Sequence, residues 1–342
     1  RCHATSRDLG FAAREDGLFD VYSAGGLGNN PKLGVKVAEG VAPDQILYYI
    51  KAMWLTFRAY GNYENRAKAR TRYMQEALGG PEAYAAAFRQ KLSEVYQTED
   101  LTLTGVETPA MTKTGVPDES LPAHPRVLAQ KQPGLYAVAW HPIGGMPDPA
   151  VFCRVSDALQ TMQDAELRLS PDEGAYLVNL NAEEARTLLA MTEGNTAHSL
   201  FETSVACIGA GTCQVGLRDS QALLADCVAA VRAARLPDGA LPQIHISGGP
   251  SRGGPPPPGA RGFRGAAKVR DGRPQPAFTL FAGGCSRQGH ETMGREIGIM
   301  LWENIPAFLV ALGQTVAAAG QDYAAWYAAN PSAIDTLAAR YL

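Results

Sequence analysis

Apolar residues recur at helical spacing between Ala42 and Tyr60. Ile46, Leu47, Ile50, Met53, Trp54 and Phe57 share one face, which predicts an amphipathic helix with that face toward a core. Pro43 suits its first turn and Gly61 its end. Asn62 to Leu78 reads as a second helix; its cations Arg66, Lys68, Arg70 and Arg72 spread around it, so most read as solvated, with a role toward an anionic partner as the alternative. Pro81 to Tyr96 reads as a third helix. Residues 98–132 have few hydrophobic runs and many Pro, Thr and Gly, the pattern of a linker or wrapping arm. Strands follow at Leu135–Trp140, Glu166–Ser170 and Ala175–Leu180, with helices at Asp148–Met162 and Ala182–Met191. This β-α-β-β-α order predicts a ferredoxin-like α+β unit. Gln214–Ala234 reads as a long helix directly after Cys213, and Ile244–Ser247 as a short strand. Glu291–Ala319 reads as a last helical stretch, broken near Asn304-Ile305-Pro306.

Two segments repeat one pattern. Gly10-Phe11, a short strand, the Asp16-Gly17 turn, a second strand and the Gly25-Gly26 loop come first. Gly262-Phe263, a strand, Asp271-Gly272, a strand and Gly283-Gly284 come second. Each leads to a long helix, which predicts two related halves. A domain from Pro133 to Gly262 precedes the second copy, whereas nine residues precede the first. The expectation is that the chain begins inside the first half.

Composition narrows the classes. The 342 residues are 46% hydrophobic with a net charge of -3, enough for a real core and no basis for a nucleic-acid-binding protein. No apolar run approaches the roughly 20 residues that span a bilayer, so no membrane partner is expected. Six unevenly spaced cysteines do not resemble a secreted disulfide framework, and a reducing, cytoplasmic setting is expected.

The candidate chemistry lies in Ala206-Cys207-Ile208-Gly209-Ala210-Gly211-Thr212-Cys213. Thiolates hold iron–sulfur clusters, and glycines between two cysteines let a loop curl around one. On these residues alone, two buried structural cysteines explain the run as well. Ile246-Ser247-Gly248-Gly249-Pro250-Ser251-Arg252-Gly253 has the shape of a second half-motif, with glycine where cysteine is expected. His245 and His141 read as hydrogen-bonded core histidines and Cys153 as core. The Gly-Gly runs lack the spacing of a dinucleotide fingerprint.

The run Gly25 to Val35, the later Gly61-Asn62 through Asn65-Arg66, the Cys207–Cys213 loop and Ile246-Ser247-Gly248 resemble the sulfite and nitrite reductases that use sirohaem. The resemblance implies an α+β, pseudo-two-fold fold with a ferredoxin-like domain between two related α+β portions. The expected boundaries are 1–97 for the end of the first half, 98–132 for a linker, 133–200 for the ferredoxin-like half-domain and 201–342 for the cluster and sirohaem domain. It further implies a [4Fe–4S] cluster joined to sirohaem, and six-electron reduction of sulfite to sulfide or nitrite to ammonia. A ferredoxin or flavoprotein would donate the electrons. By position, Cys207, Cys213, Gly249 and Gly253 stand at the four cluster-ligand places, and Arg168, Thr212 and Gly248 are candidate cofactor contacts. The substrate-facing residues of the family would lie upstream, so no catalytic residue is assigned and sulfite is not separated from nitrite.

The chain departs from that pattern. Gly249 and Gly253 cannot bind iron, and the spacing of Cys227 and Cys285 makes neither a substitute. In Ser170-Pro171-Asp172-Glu173-Gly174, Glu173 stands where many relatives have a Gln-Asn pair that contacts sirohaem. The two glycines have two explanations: true loss, in a non-catalytic homologue serving as a structural or interaction subunit, or a local alteration. The adjoining Pro255–Pro258 tract, beside a well-matched Ala266-Ala267-Lys268, favours the second. A further rival is the related oxygen-inserting enzyme of cobalamin synthesis, which shares the cluster motif.

Overall fold

The first hairpin closes where a strand of alternating burial meets the Asp16-Gly17 turn. β1 (Leu9–Ala13) pairs antiparallel with β2 (Phe19–Ser23), which pairs with β3 (Val35–Val41). This is seen in a computed structural model, which describes residues 4–27, 30–105, 111–118, 121, 123–249, 261–285 and 290–342. The chain divides into two units: Arg1–Thr108 with Gly283–Arg295, and Pro109–Pro250 with Arg261–Ala282 and Glu296–Leu342.

In the first unit a 3-10 turn at Pro43–Gln45 leads into α1 (Ile46–Tyr60), then α2 (Met74–Ala77) and α3 (Pro81–Thr98). The buried face of α1 is not the one its aliphatic spacing predicts. Tyr48, Tyr49, Ala52 and Thr56 are buried, while Leu47, Ile50 and Trp54 are exposed. Tyrosine carries a large apolar body with a polar tip, and both find partners here. Tyr48 stacks on Tyr96 with ring centroids 4.1 Å apart, and its hydroxyl donates to Asp100 at 3.0 Å. Tyr49 packs against Phe88.

The helix expected over 62–78 does not form as one piece. Two 3-10 turns, Arg66–Lys68 and Thr71–Tyr73, precede the single turn of α2. Asparagine side chains compete with the helix here by binding nearby backbone. Asn62 Oδ1 accepts from Glu64 and Asn65 N–H, and Asn65 Oδ1 from Ala67 N–H. Most of the four cations are solvated as expected: Arg66, Lys68 and Arg70 are exposed, Arg70 pairing with Asp8 at 3.1 Å, while Arg72 is buried, stacked on Tyr73.

In the second unit β4 (Val127–Ala129), β5 (Tyr136–Trp140), α4 (Pro149–Gln160), β6 (Glu166–Leu169), β7 (Ala175–Leu180) and α5 (Ala182–Thr192) form an antiparallel sheet of order β4-β5-β7-β6 with two helices. Its core holds Val138, Trp140, Val155, Leu177, Leu180 and Leu188. This is the β-α-β-β-α arrangement expected, preceded by one short strand. Asp148 caps α4, and Asn181 with Glu184 forms a capping box on α5. The Pro- and Thr-rich segment is tied to this body as a wrapping arm. Lys113 N–H donates to Asp164 at 2.8 Å, and its ammonium pairs with Glu184 at 2.5 Å. Buried Arg126 donates to Thr192 Oγ1 at 2.9 Å and Leu189 O at 3.0 Å.

β8 (Val205–Ala206), α6 (Ser220–Ala233), β9 (Ile244–Ser247), β10 (Arg261–Arg270), β11 (Arg273–Ala282), β12 (Arg295–Leu301), α7 (Ile305–Ala318), α8 (Tyr323–Ala329) and α9 (Ala333–Ala338) complete the chain. The sheet order is β12-β11-β10-β9-β8, with β8–β9 and β9–β10 parallel. Its core gathers Leu223, Cys227, Ile246, Phe278, Met300, Phe308, Leu312 and Trp326. Two expectations change. The helix after Cys213 starts only at Ser220, because Asp219 is its cap and accepts from Ala222 N–H. Residues 295–301 are a strand, so only Ile305 onward is helical.

The two copies share more than was read from sequence. After each Gly-Gly loop comes an isolated bridge (Gly26 with Lys32, Cys285 with Thr292), a seven-residue strand, a 3-10 turn and the long helix. The repeated Gly-Phe has a physical reason. A Cβ on Gly10 would lie 2.2 Å from Ala4 O, and one on Gly262 1.9 Å from His245 O. In both copies glycine lets a neighbouring backbone approach.

Candidate metal-cluster site

Cys207 leaves β8 at the edge of the five-stranded sheet, its N–H bound to Ile246 O at 3.0 Å. Its half-buried sulfur accepts from Gly248 N–H at 3.1 Å and lies 3.2 Å from the Ser220 hydroxyl. That hydroxyl donates to the Cys207 carbonyl at 2.6 Å. Residues 208–219 then loop back across the end of β9. Leu217 and Arg218 N–H both donate to Gly248 O, at 2.9 and 2.8 Å, and Ala210 N–H donates to Arg218 O at 2.9 Å. Cys213 is placed by its N–H on Gly209 O, and its carbonyl accepts from Gly216 N–H, both at 2.9 Å. Thr212 lies exposed on the same loop, its N–H on Gly209 O at 3.3 Å. The chain thus forms a backbone cradle carrying two thiols.

The two glycines after β9 differ physically. A Cβ on Gly248 would sit 2.2 Å from Arg218 O, so the cradle requires glycine there. Among the described residues, a Cβ on Gly249 would meet only Val215 O at 3.3 Å, and the backbone of Gly249 is outside the left-handed region. A displacement of a few tenths of an ångström in an exposed loop residue would admit a side chain at 249. Gly253 lies outside the described residues.

The residues present do not fit a four-iron cluster. Two thiols stand at the cradle, position 249 offers none, and among the described residues no three His, Cys, Asp or Glu side chains group as a metal site. Four thiolates are the usual complement. Cys227 is fully buried in the core, and burial pushes its thiol up, so it serves packing. Cys153 is exposed on α4, a correction to its reading as core. Cys285 belongs to the first unit. Arg168 lies on β6, its side chain 62% exposed and paired with Glu166 at 2.9 Å. His245 lies on β9 opposite Val205 and Gly262.

Sequence reasoning missed several contributors. Gln221, one residue into α6, donates to Gly144 O at 2.9 Å and Ala206 O at 2.8 Å, tying the cradle to the ferredoxin-like body. Ser220 orients the Cys207 sulfur and carbonyl. Ile208, Val215 and Leu217 form an exposed apolar rim around the two cysteines. Glu173, with φ of 63° in the β6–β7 turn, reaches the strand that carries Cys207. Burial pushes its carboxyl up to about 7, the Ala206 N–H opposes that, and Asp172 adds to it. A Cys-x5-Cys loop followed by Asp-Ser-Gln is the one local signal that could have pointed to Ser220 and Gln221.

The molecule is an α+β protein with two strand–helix copies and a backbone cradle carrying two thiols at the end of the five-stranded sheet. The family model described as "Nitrite and sulphite reductase 4Fe-4S domain" matches residues 1–98, a range that excludes Cys207 and Cys213. Sulfite reductase [ferredoxin] 2 of Mycolicibacterium paratuberculosis is 25% identical over 206 residues, 59% of this chain and 35% of that protein. Ferredoxin–nitrite reductase of Synechococcus elongatus is 27% identical over 295 residues, 82% of this chain and 54% of that protein. The structure of Mycobacterium tuberculosis NirA protein superposes with a TM-score of 0.68 at 21% identity, covering 90% of this chain and 57% of that one. The chain is thus similar to sulfite and nitrite reductases, through a family-model match over its first 98 residues and relatives of 25–27% identity. It spans between a third and just over half the length of these relatives. Among the described residues no helix is long and apolar enough to cross a membrane.

Proposed function

We propose that this chain is part of a sirohaem-type reductase framework whose cradle is shaped for a [4Fe–4S] cluster, and that with Gly249 and Gly253 in place it is non-catalytic. The framework's reaction is the six-electron reduction of sulfite to sulfide or nitrite to ammonia. Ferredoxin is the electron donor named for the relatives, and a reducing cytoplasm is the setting. Cys207 and Cys213 are the retained cluster positions, Gly249 and Gly253 the vacated ones, and Arg168, Thr212 and Gly248 the assigned cofactor contacts. The observation that carries this reading is the contrast at β9: the backbone demands glycine at 248 and is open to a side chain at 249. The cradle carries two thiols, Cys207 and Cys213, where a four-iron cluster usually has four.

Iron and acid-labile sulfide analysis tests it after anaerobic reconstitution. The chain as written should retain no cluster. The Gly249→Cys/Gly253→Cys variant should take up about four irons per polypeptide and turn brown. A colourless, iron-free double variant would sink the cradle reading. An iron-replete parent chain would sink the non-catalytic one.

The second reading, a structural or interaction subunit, is favoured by the exposed rim of Ile208, Val215 and Leu217 beside the cysteines. Apolar groups clustered at a surface mark contact sites. Reading the codons for 249 and 253 again separates the two: cysteine at both removes the subunit reading.

A further inference from the structure

The loop that carries Cys213 also borders a cavity of about 590 Å³, all of it within the second unit. That volume is in the range of small-molecule sites. The 208–219 loop, the β10–β11 turn and the end of β12 each supply a side, and neither Cys207 nor Cys213 lines it. Leu217, Pro276, buried Leu301 and the indole of Trp302 give it an apolar wall. The indole is held on two sides. Its Nε1 donates to Asp226 at 2.8 Å, and its ring meets Phe278 edge-on with centroids 5.8 Å apart. A rigid indole offers a face on which a planar body can stack.

The charged groups of the cavity are unequally compensated. Arg270 pairs with Glu303 at 2.8 Å, and Asp219 caps α6 through Ala222 N–H at 3.0 Å. Half-buried Arg218 has no carboxylate partner among the described residues. Its Nε donates to Ala266 O at 2.9 Å and its Nη1 to Leu217 O at 2.8 Å. Two carbonyls thus orient the guanidinium without neutralising it, and its Nη2 donors are left for an oxyanion. We propose that this cavity binds a planar aromatic monocarboxylate, with its ring against Trp302 and its carboxylate on Arg218. One negative charge is the limit, because Asp219 and Asp271 line the same cavity and repel a dianion.

Calorimetric titration of the 342-residue chain tests this with three probes of one ring system: 2-naphthoate, neutral 2-naphthalenemethanol and dianionic 2-naphthyl phosphate. Naphthoate should bind about tenfold more tightly than the alcohol, the worth of a charge-assisted hydrogen bond, and the phosphate no more tightly than naphthoate. Arg218→Met should bring naphthoate down to the level of the alcohol and leave the alcohol unchanged. Exposed Asp271, in the β10–β11 turn, gives a variant that spares the Arg218 contacts: Asp271→Asn should tighten naphthoate about two- to threefold. Leu217→Ala should weaken acid and alcohol alike, by about threefold. Equal affinity for acid and alcohol overturns the proposal, and so does a phosphate that binds more tightly than the carboxylate. Absence of binding by all three probes, or naphthoate binding untouched by both Asp271→Asn and Leu217→Ala, overturns it as well.

Discussion

The two hairpin–strand–helix copies follow one plan with different covers. In the second, Leu309 and Gly313 lie under Leu236, Leu241 and α6. In the first, Ile50 and Trp54 match them when the helices are aligned on their 3-10 turns, and both face solvent. The aromatic face of α1 is buried on α3 instead. The hairpins differ as well. Two residues, Asp271 and Gly272, join β10 to β11 with φ of 54° and 74°, whereas five residues join β1 to β2. The same plan therefore tolerates different turns and different buried faces. What it keeps is the glycine that lets a neighbouring backbone approach, at Gly10 and at Gly262. Burial belongs to the cover as much as to the helix.

The contrast can be broken most directly at the matched helix positions. Leu309→Ala should lower the unfolding free energy by about 2–5 kcal/mol. Ile50→Ala should change it by less than about 0.5 kcal/mol. Equal losses in urea titrations would remove the distinction between the copies. Next comes the cradle beside the second copy. Gly248→Ala should cost about 1–3 kcal/mol by overpacking against Arg218 O, and Gly249→Ala less than about 1 kcal/mol, read by thermal unfolding. A reversed order would show that the glycine at 249 is structural.

The turns sharpen the likeness rather than the difference. Gly17 and Gly272 have φ of 81° and 74° with open space around them. Each substitution by alanine should cost about 1 kcal/mol through backbone strain alone. A loss confined to one copy would argue against shared turn chemistry. The smallest effect is pH-dependent and touches only the second copy's side. The Glu173 carboxyl is raised from 4.5 to about 7 in the folded chain. The folded chain holds a proton that the unfolded chain releases, so stability from this group is present below about 4.5 and lost as pH rises to about 7. Glu173→Gln should therefore stabilise the chain at pH 8 by about 1 kcal/mol, reduced by solvent screening, and give nothing at pH 4. A gain that is equal at both pH values would place the effect in packing rather than in the charge.

Much of this was legible in the chain. The ferredoxin-like element order, the repeat, the strand at Ile244–Ser247 and the Cys207 loop need only local periodicity and turn chemistry. Three regions were not legible. Asn62–Leu78 has helical composition, but Asn62 and Asn65 spend their side chains on nearby N–H groups, and Asp8, far away in sequence, takes Arg70. Residues 295–301 read as helix because Glu, Ile, Met and Leu suit either state, and pairing beside β11 decided for strand. On α1, aliphatic spacing pointed to one face, and Tyr48 and Tyr49 won the other through partners on α3 and beyond it.

By itself, the sequence determined the repeat, the α+β element order and the thiol count at the cradle, because turns, short periodicities and side-chain identity are local properties. Only the tertiary structure decided which face of α1 is buried, that Gly248 must be glycine and Gly249 need not be, and that Gln221 and Glu173 border the cysteine strand. Those outcomes depend on which atoms arrive from distant parts of the chain: a carbonyl of Arg218, a side chain of Leu236, a ring of Tyr96.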